Sequence, residues 1–205
     1  MYLKFLAIAI IIVSCLIGWR YFGKTHAPDE LQRAPHNQYV GAEDPAVIIT
    51  EIMDYRCPYC RAMHDTMVVF VALHPEVRVI YRVYPIFEGP SIYEAKMAMA
   101  AGKQGRFAEM HDILIRRENP VTPEEKDGIV ARLGMDKERF DRDMFSWAAT
   151  QDLIAASSAV EGLGIKGTPA FVINGNVHNL TERLPTVEDL EELFAPYLSP
   201  ANAQP

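Results

Sequence analysis

Residues 51–64 read Glu51-Ile52-Met53-Asp54-Tyr55-Arg56-Cys57-Pro58-Tyr59-Cys60-Arg61-Ala62-Met63-His64, and they hold two of the chain's three cysteines. Such a Cys-x-x-Cys pair is a redox centre, half of a metal site or a staple, and its flanks decide between them. Upstream, Ala46 to Met53 (AVIITEIM) is short and rich in β-branched residues, which predicts a buried strand. Downstream, Tyr59, Met63, Met67 and Phe70 recur at helical spacing until His74-Pro75, which predicts a helix opening at Pro58. Val77 to Val83 (VRVIYRV) reads as a strand again. The cysteines therefore lie where a strand turns into the helix of a strand-helix-strand unit.

At that position Cys57 faces the unsatisfied N–H groups and the positive dipole end of the helix, which favour a thiolate. In such motifs the first cysteine's pKa falls from about 8.5 into the range ~3.5–7.5, making it the nucleophile. Cys60, one turn on, can close the ring or resolve a mixed disulfide. Pro58 suits the first helical turn, where its missing N–H would be unpaired anyway. The rivals are weaker. Zinc takes four ligands, and although His64 shares a helical stripe with Cys57 and Cys60, no fourth is visible. A c-type haem needs histidine directly after the second cysteine, where Arg61 stands. A purely structural disulfide closing so small a loop would constrain the unfolded chain least.

The remaining composition bounds the class. A chain of 205 residues with 49% hydrophobic and 23% charged residues suits one folded domain with appendages. Its net charge of −7 argues against nucleic acid as a partner. Three cysteines are too few for a disulfide-rich scaffold, and Cys15 lies in an apolar run away from the domain. That run, Phe5 to Trp19, is bounded by Lys4 and Arg20 and extended by Tyr21-Phe22, and it can just span a bilayer. Residues 1–22 read first as an uncleaved inner-membrane anchor. A cleaved signal peptide, and a lipoprotein with Cys15 as the lipidated residue, are the alternatives. Residues 23–44 are polar, with two prolines, and read as a linker.

Beyond Val83 the pattern is helical in blocks: Ser91 to Ala101, Phe107 to Arg116, Pro123 to Leu133, Lys137 to Trp147, and Gln151 to Gly162. Ala170 to Ile173, the pair Asn174-Gly175 and Val177 onward predict a β-hairpin. Thr186 is placed to cap a last helix ending near Leu198. The expected fold class is α/β: βαβ, a helical block at about 90–163, then ββα over a domain at 45–198, with a tail at 199–205.

Glu51-x-x-Asp54-Tyr55-x-Cys57-Pro58-Tyr59-Cys60, the long helical block and Gly167-Thr168-Pro169-Ala170-Phe171 together resemble the DsbA-like branch of the thioredoxin superfamily. The wording around the cysteines is most similar to ScsC-type periplasmic proteins. The resemblance spans roughly Tyr39 to Leu198 and implies a thioredoxin-like fold with an inserted helical domain. It implies that Thr168-Pro169 is the family's cis-proline loop, which lies across the cysteine pair and, with Pro58 and Tyr59, meets an extended substrate peptide. It also implies that Glu51 is the buried acid that exchanges a proton with Cys60, since burial raises a carboxyl pKa. No cofactor is expected beyond a redox-active Cys57–Cys60 disulfide.

Three functions follow from this reading. The first is a thiol oxidase for unfolded or reduced exported proteins, facing the periplasm and reoxidised by a DsbB-like membrane partner. The second is an isomerase or reductase kept reduced by a DsbD-like donor. The third is a copper or other metal chaperone using Cys57, Cys60 and His64.

Overall fold

The computed structural model describes residues 29–173, 176–180 and 183–198. Residues 1–22, read as a membrane anchor, and the pair Asn174-Gly175 lie outside the described residues. Among the described residues, no helix is long and apolar enough to cross a membrane.

The predicted strand-helix-strand unit is β2 (Val47–Met53), α2 (Pro58–Leu73) and β3 (Val77–Val83), with β2 and β3 parallel and paired from Val47↔Val77 to Met53↔Val83. Strand β4 (Ala170–Ile173) pairs antiparallel with β2, and β5 (Asn176–Asn179) pairs antiparallel with β4, Ile173 facing Asn176. Before them runs β1 (Tyr39–Gly41), antiparallel to β3. The sheet order is thus β1-β3-β2-β4-β5.

The residues expected to form a linker are in part built into this sheet. A single helical turn, α1 (Asp29–Gln32), places Leu31 fully out of solvent, and the Leu31 carbonyl accepts a hydrogen bond from the Thr50 hydroxyl at 2.9 Å. β1 follows, and its Arg78 neighbour lies over the Tyr39 ring at 4.3 Å. The domain therefore starts well before residue 45.

Between β3 and β4 lie α3 (Gly89–Gly102), α4 (Phe107–Ile115), α5 (Pro123–Arg132), α6 (Lys137–Met144) and α7 (Trp147–Gly162); α8 (Val187–Leu198) closes the chain. The boundary between α6 and α7 differs from the sequence expectation, because Ser146 accepts from Ala149 N at 3.1 Å and caps a new helix. Trp147 thus opens α7 instead of ending α6.

Successive strand residues point to opposite faces. On β2, Ile49 and Met53 join the larger core with Met63, Met67 and Phe70 of α2, while Ile52 joins a smaller one with Leu31, Val160 and Val172. Glu51 lies two residues from both Ile49 and Met53, so the only carboxylate of β2 is aimed at the α2 side of the sheet.

Candidate active site

Cys57 is the N-cap residue of α2, in extended conformation with φ −70° and ψ 119°, and Pro58 follows as the first helical residue. A turn delivers it there: Cys57 N donates to the Asp54 carbonyl at 3.0 Å, and Arg61 N donates to the Cys57 carbonyl at 3.1 Å. Both cysteines are free thiols here, Cys57 3% and Cys60 1% exposed.

The two thiols are driven apart electrostatically. The hydrogen bond from the Cys60 side chain is the largest cause lowering the Cys57 pKa, from 9.0 to about 6. The Thr168 side chain and the N–H groups of Cys60 and Tyr59 act in the same direction, against the cost of burial. Cys60 moves the other way: burial first, then its donation to Cys57, then the nearby Glu51 charge, push its thiol well above the usual range. Glu51 itself is 3% exposed, its Oε2 has no hydrogen-bond partner, and burial followed by the Cys57 charge raises its pKa from 4.5 to about 8.

Across the thiols lies the loop before β4. The Thr168–Pro169 peptide bond is cis, and Cys57 Sγ donates to the Thr168 carbonyl at 3.3 Å. The Thr168 hydroxyl is buried and otherwise without a partner, so it is available to a thiolate. Two recesses flank Pro169. One, of about 250 Å³, has Tyr59, Leu180, Leu184 and Pro185 in its walls; the other, of about 540 Å³, is bounded by Lys166, Gly167 and Asn179. Tyr59 is 64% exposed beside the first. Of the seven residues singled out from sequence, Cys57 and Cys60 form one dithiol, and Glu51, Pro58, Tyr59, Thr168 and Pro169 lie around it.

A family model described as thioredoxin matches residues 33–194. The chain belongs to the thioredoxin family. Among curated relatives, it is 28% identical over 144 residues to the Na(+)/H(+) antiporter NhaA 1 of Salinispora arenicola, a match covering 68% of this chain and 22% of that protein. The chain therefore spans about a fifth of the length of the first such relatives. It is also 24% identical over 178 residues to the thiol:disulfide interchange protein DsbA of Pseudomonas aeruginosa, covering 81% and 83% of the two chains. Among solved structures, a thioredoxin-like oxidoreductase from Silicibacter pomeroyi DSS-3 superposes with a TM-score of 0.72 at 27% identity, covering 82% and 96%. Both of these last two likenesses run over about four fifths of this chain.

Around this thioredoxin-family dithiol stand polar groups whose arrangement sequence reasoning missed. Asp54 is fully buried: Oδ1 accepts from Arg56 N and the Ser91 hydroxyl at 2.7 and 2.8 Å, and Oδ2 accepts from Ile86 N at 2.7 Å. Arg56 pairs with Glu94. Below the loop, the Tyr55 hydroxyl meets His111 Nδ1 at 3.2 Å, the Tyr81 ring lies 4.0 Å from that imidazole, and the His64 ring stands edge-on to it at 5.3 Å. His64, the candidate third metal ligand, instead has its Nε2 3.1 Å from Asp112 Oδ1. Among the described residues, no group of three or more His, Cys, Asp or Glu side chains is arranged to hold a metal. The signal that could have pointed to His111 is its helical spacing with Phe107, Met110 and Leu114, which places it on the buried face of α4.

Proposed function

We propose that this chain is a protein thiol-disulfide oxidoreductase that runs as an oxidase, handing a Cys57–Cys60 disulfide to thiols of exported proteins. The direction is supported by the seat of Cys57 as the N-cap of α2, beside the Cys60 thiol, whose hydrogen bond holds the Cys57 pKa down to about 6 while burial keeps Cys60 protonated. Stabilising the Cys57 thiolate stabilises the reduced protein, which makes its disulfide the stronger oxidant.

In the forward reaction a client thiolate attacks Cys57 Sγ of the disulfide. The Cys57–Cys60 bond breaks, its electron pair goes to Cys60, and Glu51, protonated at neutral pH, gives Cys60 a proton. The mixed disulfide lies against Thr168-Pro169, with client side chains in the flanking recesses. A second client thiolate then attacks the client sulfur and releases Cys57 as its stabilised thiolate. The client loses two electrons and the dithiol gains them.

Turnover then needs an electron acceptor. A DsbB-like membrane protein suits it, with residues 1–22 holding the domain at the outer side of a bacterial inner membrane, in the periplasm. A DsbD-like donor would serve instead if the direction were reductive.

The redox equilibrium of the dithiol against glutathione tests the direction. A potential of about −120 mV is the expected outcome, and one of about −270 mV would make the protein a reductant. If no reversible disulfide forms, both redox readings fall and thiolate metal binding remains, to be checked by metal analysis of anaerobically purified protein.

A further inference from the structure

Arg56 immediately precedes Cys57, yet its side chain is turned away from solvent and has no part in the exchange steps above. The side chain is 8% exposed, and Nε lies 2.7 Å from Oε2 of Glu94 on α3, whose own side chain is fully buried. Nη1 donates to the Glu118 carbonyl at 3.0 Å, and Nη2 donates to those of Leu114 and Arg117 at 3.3 and 3.0 Å. These are carbonyls at the end of α4 and just beyond it, where the helix leaves acceptors unsatisfied. Glu94 Oε1 is held in turn by Val121 N at 2.9 Å, on the approach to α5.

The main chain of the same residue is tied as tightly. Arg56 N donates to Asp54 Oδ1, and that carboxylate also takes Ser91 of α3 and Ile86 N from the end of the β3 connection. Asp54, Arg56 and Glu94 thus link the turn that ends in Cys57 to three separate pieces of the helical insertion.

Stability alone is a poor account of such an arrangement. Burying a guanidinium and a carboxylate costs desolvation that close pairing offsets only in part, and replacing both by apolar groups is often neutral or stabilising. The two Nη groups supply something else: donating to the Glu118, Leu114 and Arg117 carbonyls they fix direction as well as distance, while Nε meets Glu94 as an ion pair.

We propose that Arg56 is a positioning residue. By locking the Cys57 turn onto the helical insertion through Glu94 and the carbonyls that end α4, it holds Cys57 Sγ within reach of the Tyr59 and Cys60 N–H groups and the Thr168 side chain. The inference rests on Cys57 being the nucleophile of the proposed exchange.

The test compares Arg56→Lys, Arg56→Met and Arg56→Met/Glu94→Met in the full chain. Thermal unfolding, thiolate absorbance against pH and the glutathione equilibrium are followed for each. Arg56→Met strands a buried carboxylate and is expected to lose stability; the double variant is expected to recover most of it. In the recovered double variant, Cys57 is expected to titrate about one unit higher than in the wild type, giving tenfold less thiolate at acid pH. Its glutathione equilibrium moves towards a weaker oxidant. Arg56→Lys, which keeps the charge beside Glu94 but loses the fork, falls between. A folded double variant with wild-type titration and equilibrium overturns the proposal, leaving Arg56 a structural tie. Should the double variant not fold, an unchanged titration and equilibrium in Arg56→Lys does the same. Failure of the underlying reading is distinct: the wild-type protein would then show no thiolate forming below pH 9.

Discussion

Glu51 is the residue on which burial and chemistry oppose each other most directly. Its folded pKa of about 8 exceeds the ordinary 4.5, so the unfolded chain ionises it first and the folded state resists. The cost to stability is absent below pH 4.5, grows as pH rises and levels off above about 8. Glu51→Gln keeps the shape and removes the charge. It is therefore expected to match the wild type in thermal unfolding at pH 4 and to exceed it by several degrees at pH 8. The same variant is expected to slow disulfide exchange by at least tenfold at neutral pH, because Cys60 would leave as an unprotonated thiolate in an apolar site. A variant no more stable at pH 8 than the wild type would place Glu51 in a wetter setting than its 3% exposure describes. Cys57 runs in the opposite sense: its depressed pKa contributes stability to the reduced form that is fully present above about pH 9 and lost as pH falls through 6.

At the scale of elements, α2 and α4 meet through imidazoles. His111 of α4 is 2% exposed and lies among Tyr55, Tyr81, Phe107 and His64. Burial, then the neighbouring His64, lowers its pKa from 6.5 to about 3. As pH falls below 6.5 the unfolded chain takes up a proton that the folded one refuses, so stability drains away until about pH 3. On the scale of 1.36 kcal/mol per pKa unit, that loss is on the order of a few kcal/mol. His111→Gln is expected to abolish it while still offering Tyr55 a partner. Urea unfolding at pH 7 and pH 4 checks this: the wild type should lose clearly more between the two than the variant does. The arrangement also explains why α4 sits where it does. Its aromatic and histidine side chains cover Tyr81 on β3, the strand neighbour of Glu51, and so keep water from the acid below the thiols.

At the scale of the molecule, the sheet needs residues that precede the strand-helix-strand unit. A chain shortened to begin at Asp44 loses Leu31 from the smaller core and β1 from the edge of β3. Burial of one leucine side chain contributes about 1.5–3 kcal/mol, and the strand hydrogen bonds add to it. Such a chain is expected to unfold at lower denaturant than one beginning at Asp29, with equal midpoints refuting a structural role for residues 29–43.

The short β-branched runs and the helical spacing of residues 46–83 determined β2, α2 and β3 by themselves, because a strand buried on both faces is apolar nearly throughout while α2 buries one stripe, and each writes that burial into its own sequence. The same local rules singled out Cys57, Pro58 and Cys60 at a helix start. β1 was illegible because three residues are too few to show a period; its strand character comes from pairing with Arg78 to Ile80. Burial at Glu51 could be expected from its apolar neighbours, yet the electrostatics depend on which charges come near. Only the tertiary structure brought Glu94 to Arg56 and His111 to Tyr55, since those pairs are far apart in the chain and belong to different elements. Their pairing follows from how the helical insertion packs over the sheet, and pairing of that kind leaves no periodic mark on the sequence.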